Sequence, residues 1–218
     1  MGGVDRLIKN PPKTEPVAPI KGIDVSHYQP VIDWKKVKES GVEFVFIKAS
    51  EYVKDDRFDA HWAQSKAAGL LRGAYHFFHP NQDPVAQAQL MATSIGKLEK
   101  DDLPCVLDLE VSDGQSPDTI EENAQIFLSE IATLTGKSPI VYGSPYFLES
   151  LTLDVSFANH PLWIAHYGVD FPRIPPPWGY WSFWQTADTG KVPGINGNAD
   201  TDLFNGTLEQ LMKIAHGG

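Results

Sequence analysis

Two carboxylates set two residues apart, Asp108 and Glu110, end the short run Cys105-Val106-Leu107-Asp108-Leu109-Glu110. Leu103-Pro104 precedes the run and Ser112-Asp113-Gly114 follows it, so it reads as a buried strand bounded by turns. Alternate residues of a strand share a face and rise about 3.3 Å each, which puts the two acids on one side with Cα atoms about 6.5 Å apart. Two such acids at the end of a buried strand are costly unless something binds there. Their proximity raises one pKa and keeps one acid protonated. That is the charge state a glycosidase uses to protonate a leaving oxygen. The same six residues also describe a strand end whose acids face water or pair with Lys or Arg, and alone they do not decide between the two.

The acids need a scaffold, and the chain is long enough for one. Its 218 residues are 42% hydrophobic, which allows one large α/β domain or two small ones with a proper core. With 28 acidic against 18 basic residues the net charge is −10, which argues against nucleic acid and anionic membranes as partners. A neutral sugar substrate is unaffected by that charge. Cys105 is the single cysteine, so no disulfide within the chain and no cysteine-based metal site is expected. It reads as a small buried hydrophobe. No stretch reaches the length of a transmembrane helix. Residues 1–20 carry Pro11, Pro12, Pro16 and Pro19 among polar residues and no signal-peptide core, and read as a linker or tail.

From Lys21 onward, strand and helix patterns alternate. Strands are expected over Lys21–Ser26, Val42–Ser50, Leu71–Phe78, Cys105–Glu110, Pro139–Gly143, Leu162–Tyr167 and Tyr180–Gln185. Helices are expected over Trp34–Ser40 behind the cap Asp33, Asp55–Ala68, Pro84 to about Leu98, Pro117 to Gly136, Tyr146–Leu151 and Thr207–Ala215. The strands are apolar on both faces, as in a parallel sheet covered by helices. About seven or eight strands in 218 residues is short for a regular (β/α)₈ barrel, and the last third lacks crossover helices. The expectation is therefore an α/β fold, an irregular or incomplete (β/α)₈ TIM-like barrel of mostly parallel strands. No Gly-rich phosphate loop follows the first strand.

In a parallel barrel, functional side chains gather at the C-terminal strand ends. That rule collects Asp24, His27 and Tyr28; Lys48 and Glu51; Tyr75, His76 and His79; Asp108 and Glu110; Tyr142; Trp163, His166 and Tyr167; and Trp184 with Gln185. Asp200 and Asp202 follow near the end. Acids with aromatics and hydrogen-bond donors suit a carbohydrate cleft, with Trp184 the preferred sugar platform among the late tryptophans. The histidines show no H-x-x-x-H or H-E-x-x-H spacing on a helix, so neither a metal site nor a cofactor is expected. Trp62 reads as core. Asp55-Asp56 and Asp101-Asp102 read as solvated loops.

Six blocks in order resemble the glycoside hydrolase family 25 lysozymes: Gly22-Ile23-Asp24-Val25-Ser26, Phe46-Ile47-Lys48-Ala49-Ser50-Glu51, Gly73-Ala74-Tyr75-His76-Phe77, Leu107-Asp108-Leu109-Glu110, Leu162-Trp163-Ile164-Ala165-His166-Tyr167 and Trp184-Gln185. The resemblance covers about residues 21–210. It implies a bacteriolytic N-acetylmuramidase that cuts the β-1,4 bond between N-acetylmuramic acid and N-acetylglucosamine in cell-wall peptidoglycan. It implies a catalytic barrel over 21–218, glycan strands as the partner, and a monomeric, secreted protein working in an extracellular or periplasmic setting, the export signal not being present in this chain. Carried over by motif, Glu110 protonates the leaving oxygen and Asp108 sits beneath the anomeric centre. Asp108 there acts as nucleophile, as electrostatic partner or as orienter of the substrate acetamido group. Asp24 tunes that pair, and Tyr75 donates near the sugar N-acetyl group. The late acid falls in Ala199-Asp200-Thr201-Asp202-Leu203-Phe204, where Asp200 is the match and Asp202 stands at the family's usual Asn. Which of the two faces the cleft is open. Tyr142, Trp163, Tyr167, Trp184 and Gln185 complete the expected substrate-binding set.

Carboxylates roughly 5–5.5 Å apart retain anomeric configuration through a protein nucleophile, and roughly 6.5–9.5 Å apart invert it. Side chains on an i, i+2 pair can converge, so spacing does not choose. Because the substrate carries an N-acetyl group, retention with acetamido assistance is the preferred expectation. Two other classes stand beside it: a non-catalytic glycan-binding barrel, and a metal-dependent phosphodiesterase on a similar barrel.

Overall fold

A computed structural model describes residues 19–217. The linker or tail expected over 1–20 lies outside the described residues except for its last two, and Ile20 already opens the first strand. The element order is β1 (Ile20–Val25), α1 (Trp34–Glu39), β2 (Val42–Ser50), α2 (Phe58–Ala67), β3 (Leu71–Phe77), α3 (Pro84–Ile95), β4 (Val106–Asp108), α4 (Pro117–Thr135), β5 (Ile140–Gly143), α5 (Pro145–Glu149), β6 (Leu162–Ala165), β7 (Phe183–Gly190), β8 (Ala199–Phe204) and α6 (Leu208–Ala215). The strands close into a barrel in sequence order. β1 to β7 run parallel, and β8 is antiparallel to both β7 and β1.

Local chemistry explains most helix starts. Asp33, Asp83, Ser116 and Ser144 each accept a backbone N–H of the first turn, and Pro84, Pro117 and Pro145 occupy the position where a missing N–H does no harm. Thr207 and Gln210 form a reciprocal capping box on α6. α4 buries Ile120, Ala124, Phe127, Leu128 and Ile131 along one stripe, but Leu134, expected to continue it, is exposed.

Period-two alternation splits the barrel's core in two. Ile23, Val45, Ile47, Ala74, Leu107, Leu109, Val141 and Ile164 point outward into the layer shared with the helices. Phe44, Phe46, Val106, Ile140, Trp163, Phe183 and Phe204 point inward and fill the interior with rings and aliphatic groups. Two glycines make room for those rings. A Cβ on Gly22 would lie 2.2 Å from the Phe44 ring, and one on Gly73 would lie 2.6 Å from Phe46. The apolar filling closes the bottom of the barrel, so any cleft must open at the C-terminal mouth of the parallel strands.

Several boundaries differ from the sequence reading. α2 begins at Phe58, not Asp55, because the Asp55 carboxylate is taken up by the Arg57 N–H and by His27. Asp55 and Asp102 are buried, not solvated. Arg72 explains Asp102: its Nε and Nη2 donate to the two Asp102 oxygens at 2.6 and 3.2 Å, and its guanidinium lies 4.0 Å from the Trp62 ring centre. The last parallel strand is Phe183–Gly190, later than the expected Tyr180–Gln185, and β8 went unforeseen. The segment between β6 and β7 supplies no α-helix, which is the expected irregularity.

Arg72→Met leaves the Asp102 carboxylate buried without its cation. The expected loss is about 3–5 kcal/mol of unfolding free energy, read as a lower urea midpoint at unchanged slope. An unchanged midpoint would show that the pair contributes nothing net.

Candidate active site

Above the apolar filling, most inward positions at the mouth of the barrel are polar, Phe77 being an exception. Asp24 on β1, Lys48 on β2, Tyr75 and Phe77 on β3, Asp108 on β4, Tyr142 on β5, Gln185 on β7 and Asp200 on β8 line one cleft of about 440 Å³. Glu110, just beyond β4, and Tyr167, just beyond β6, complete its wall. The i, i+2 relation holds beyond the strand's end. Leu109 is buried in the outer layer while Asp108 and Glu110 both face the cleft. The ladder continues through Phe78 N–H to Asp108 O at 3.0 Å and Leu109 N–H to Tyr142 O at 3.0 Å, which fixes that turn of chain.

The two acids differ in environment. Asp108 is buried, and its Oδ1 has no hydrogen-bond partner in the protein. Burial and the neighbouring Glu110 push its carboxyl well above the usual range. The Glu110 side chain is open to solvent but stands within the cleft walls, and that partial desolvation raises it too, against a hydrogen bond from Asp108 that lowers it. Lys48 lowers both. Both shifts favour the protonated form, more strongly for the deeper Asp108 than for Glu110.

Asp24 and Asp200 form a second acidic wall. They are register partners on β1 and β8, and β8 lies four strands round the closed ring from β4. Gln185 Nε2 donates to Asp24 Oδ2 at 2.6 Å, and Gln185 Oε1 accepts from Tyr142 at 2.7 Å and from Tyr167. Three bonds therefore fix one amide and, through it, Asp24. Burial raises Asp24 well above the usual range, with Asp202 and Asp200 adding to it, and burial also raises Asp200. Asp24 was expected to hydrogen-bond or tune the Asp108–Glu110 pair; its bonded partner in the structure is Gln185 and its acidic neighbours are on β8. The question left between Asp200 and Asp202 is answered by depth. Asp200 lines the cleft, and Asp202 is buried below it with Oδ1 accepting from Trp163 Nε1 at 2.8 Å.

Trp163 is mostly interior. It stacks on Phe46 at 4.5 Å between ring centres and only its edge reaches the cleft floor. Trp184 corrects the sequence reading. It does not line the cleft, is 8% exposed, faces the outer layer and donates its Nε1 to His166 O. The neighbouring Gln185 faces inward, and adjacent strand residues face opposite ways. His166 likewise turns away, its Nδ1 accepting from the Arg173 N–H. Among the described residues no three His, Cys, Asp or Glu side chains converge as a metal cluster.

Sequence reasoning underused one rim of the cleft. Phe77 shares the inward face of Tyr75 and lies beside Asp108 in register, so alternation alone points to it. Lys48 Nζ donates to Glu51 Oε2 at 2.6 Å, and Glu51 Oε1 lies 3.0 Å from His79 Nε2. His79 Nδ1 in turn faces Asp113 Oδ2 at 2.7 Å. This chain ties the segment after β2 to the segment after β4, beside the acid pair. Exposed Tyr28 and half-buried Gln29 extend the opposite rim.

Comparison with known proteins adds an independent line. The sequence profile of glycosyl hydrolases family 25 matches residues 23–195. The uncharacterized protein YegX of Escherichia coli (strain K12) is 39% identical over 206 residues, covering 91% of this chain and 74% of that one. Lysozyme M1 of Streptomyces globisporus is 36% identical over 210 residues, covering 90% and 71%. The crystal structure of the bacterial lysozyme from Streptomyces coelicolor superposes with a TM-score of 0.87 at 34% identity, covering 91% of this chain and 98% of that one.

Proposed function

The chain belongs to glycosyl hydrolases family 25, and from that premise we propose that its cleft cuts the β-1,4 bond between N-acetylmuramic acid and N-acetylglucosamine. The protein is a peptidoglycan-hydrolysing muramidase. The observation that carries the residue assignment is that Asp108 and Glu110 stand together at the wall of a cleft closed below by aromatic rings, with both carboxyls raised by burial. Glycan strands are the substrate, and the cleft residues named above come from one chain, which supports a monomer as the working unit. Its place of action is outside the cytoplasmic membrane, where that polymer lies. No helix of the described residues is long and apolar enough to cross a membrane.

Catalysis follows from the two environments. A sugar entering the cleft removes water from Glu110, which disfavours its charge and draws a proton from Asp108. Glu110, nearer the open side, then protonates the glycosidic oxygen as the bond to the anomeric carbon breaks. Asp108, now ionised, accepts the acetamido N–H through its unpartnered Oδ1 and increases the nucleophilicity of the acetamido oxygen. That oxygen attacks the anomeric carbon and forms a cyclic oxazolinium. Water opens it from the opposite face, giving its proton to Glu110, and the configuration is retained. Tyr75 and the Gln185-anchored tyrosines orient the ring, and Asp24 with Asp200 balances positive charge from across the cleft.

The test uses purified cell walls. Turbidity clearing is expected, unchanged by EDTA, and NMR of the first product is expected to show the β-anomer before mutarotation. Clearing abolished by EDTA would favour the metal-dependent phosphodiesterase reading, and an initial α-anomer would rule out acetamido-assisted retention.

A pH effect follows from Lys48. Its charge lowers both acids, so Lys48→Met raises both pKa values. The rate depends on Glu110 being protonated, and a higher pKa in the free enzyme keeps it protonated to higher pH. The alkaline limb of the kcat/KM profile is therefore expected to move toward alkaline pH. A limb that stays put or moves toward acid contradicts the assignment of the acid pair.

A further inference from the structure

Three positions run down the inward face of β8: Asp200 at the cleft, Asp202 one step deeper and Phe204 below it. Asp202 is 2% exposed and sits opposite Gly22 of β1 and Gln185 of β7. The next inward residues down β8 and β7 are Phe204 and Phe183, whose rings pack together, and Trp163 approaches from β6. Asp202 Oδ1 accepts the Trp163 indole N–H, and Asp202 Oδ2 is buried without a partner. An ionised carboxylate there would have one indole dipole and no cation against it. A carboxylic acid, by contrast, carries an O–H that an unpartnered oxygen can aim at the next inward group of β1, which is Asp24.

We propose that Asp202 is held as a carboxylic acid that shares its proton with Asp24, making it a positioning residue for the Asp24–Asp200 wall of the cleft. Asp24 is then held by the Gln185 N–H from the side and by the shared proton from below. Burial pushes the Asp202 carboxyl well above the usual carboxylate range, opposed by hydrogen bonds with Trp163 and Asp24 and reinforced by the charge of Asp200. The titratable groups facing it are Asp24 from β1 and Asp200 from its own strand; β6 and β7 present Trp163 and Gln185, and β1 presents Gly22 at its level. The role rests on the muramidase reading, but the protonation state does not.

The experiment is a ¹³C NMR titration of wild-type protein labelled at aspartate carboxyls, with the resonance missing from Asp202→Asn assigning Asp202. That resonance is expected at the protonated position through neutral pH, and finding it at the ionised position overturns the proposal. Asn keeps the acceptor for Trp163 and an N–H for Asp24, so Asp202→Asn is expected within about threefold of wild-type kcat, and Asp202→Leu is expected at least about tenfold lower in kcat with little change in KM. Equal kcat for the two variants would remove the positioning role. Should either variant fold poorly, thermal melts will show it, and the wild-type titration stands alone, with assignment by Asp200→Asn and Asp24→Asn exclusion. A wild type that clears no walls would contradict the muramidase reading while leaving the resonance position meaningful.

Discussion

Glu110→Gln is expected to lower kcat/KM on cell walls by about 10²–10⁴-fold while leaving the fold and wall binding intact. Glutamine has the same shape as protonated glutamic acid and cannot deliver a proton to the glycosidic oxygen. Glu110 stands at the open side of the cleft, outside the packed interior, so little packing depends on it. The substitution also removes a charge that raises Asp108, which relieves the pair. An unchanged or slightly raised melting temperature should accompany the lost activity. Wall binding by the variant, measured by pelleting, separates a dead catalyst from a protein that no longer docks. Clearing at the wild-type rate by Glu110→Gln would remove Glu110 from the role of acid and revive a non-catalytic or differently centred reading.

Asp108→Asn is expected to reduce kcat by about 10²–10³-fold and to stabilise the protein at neutral pH. The first effect follows from losing the negative charge that faces the forming oxazolinium. The second follows from linkage. Asp108 has a folded-state pKa raised by burial and by Glu110. Such a group favours folding fully below its unfolded pKa of about 3.9, and the contribution is lost as pH rises through the raised folded value. Asparagine titrates in neither state, so the variant's advantage over wild type should grow with pH across that window. Urea midpoints at several pH values check it, and an advantage that shrinks with rising pH would mean Asp108 is ionised and well satisfied. The nucleophile alternative is checked on the wild type: rapid quench and intact mass should show no glycosyl adduct, and a trapped adduct at Asp108 would replace the acetamido route.

The sequence carried the parallel part of the barrel well because its strands are apolar on both faces and its helices are capped by local residues. β2 is legible to the residue, and Asp108 and Glu110 share a face because a strand alternates whatever surrounds it. β8 was illegible for the opposite reason. Its inward face holds Asp200 and Asp202, and its outward Thr201 and Leu203 are only half-buried, so the usual apolar-inside pattern is inverted at the site itself. Trp184 was misplaced because an aromatic beside a functional Gln attracts attention, although alternation assigns the two to opposite faces. Asp55 and Asp102 read as solvated because their partners, His27 and Arg72, lie 28 and 30 residues away. The Gln185 network, joining β1, β5, β7 and the segment after β6, likewise exists only once the barrel closes.

The most direct measurement of the central claim is mass spectrometry of the fragments released from purified peptidoglycan, after borohydride reduction of their new ends. The account predicts reduced N-acetylmuramic acid at those ends with the wild type, and no such ends above background with Glu110→Gln. Reduced N-acetylglucosamine would place the cut at the other glycosidic bond and contradict the account, as would muramic acid ends released equally by the Gln variant.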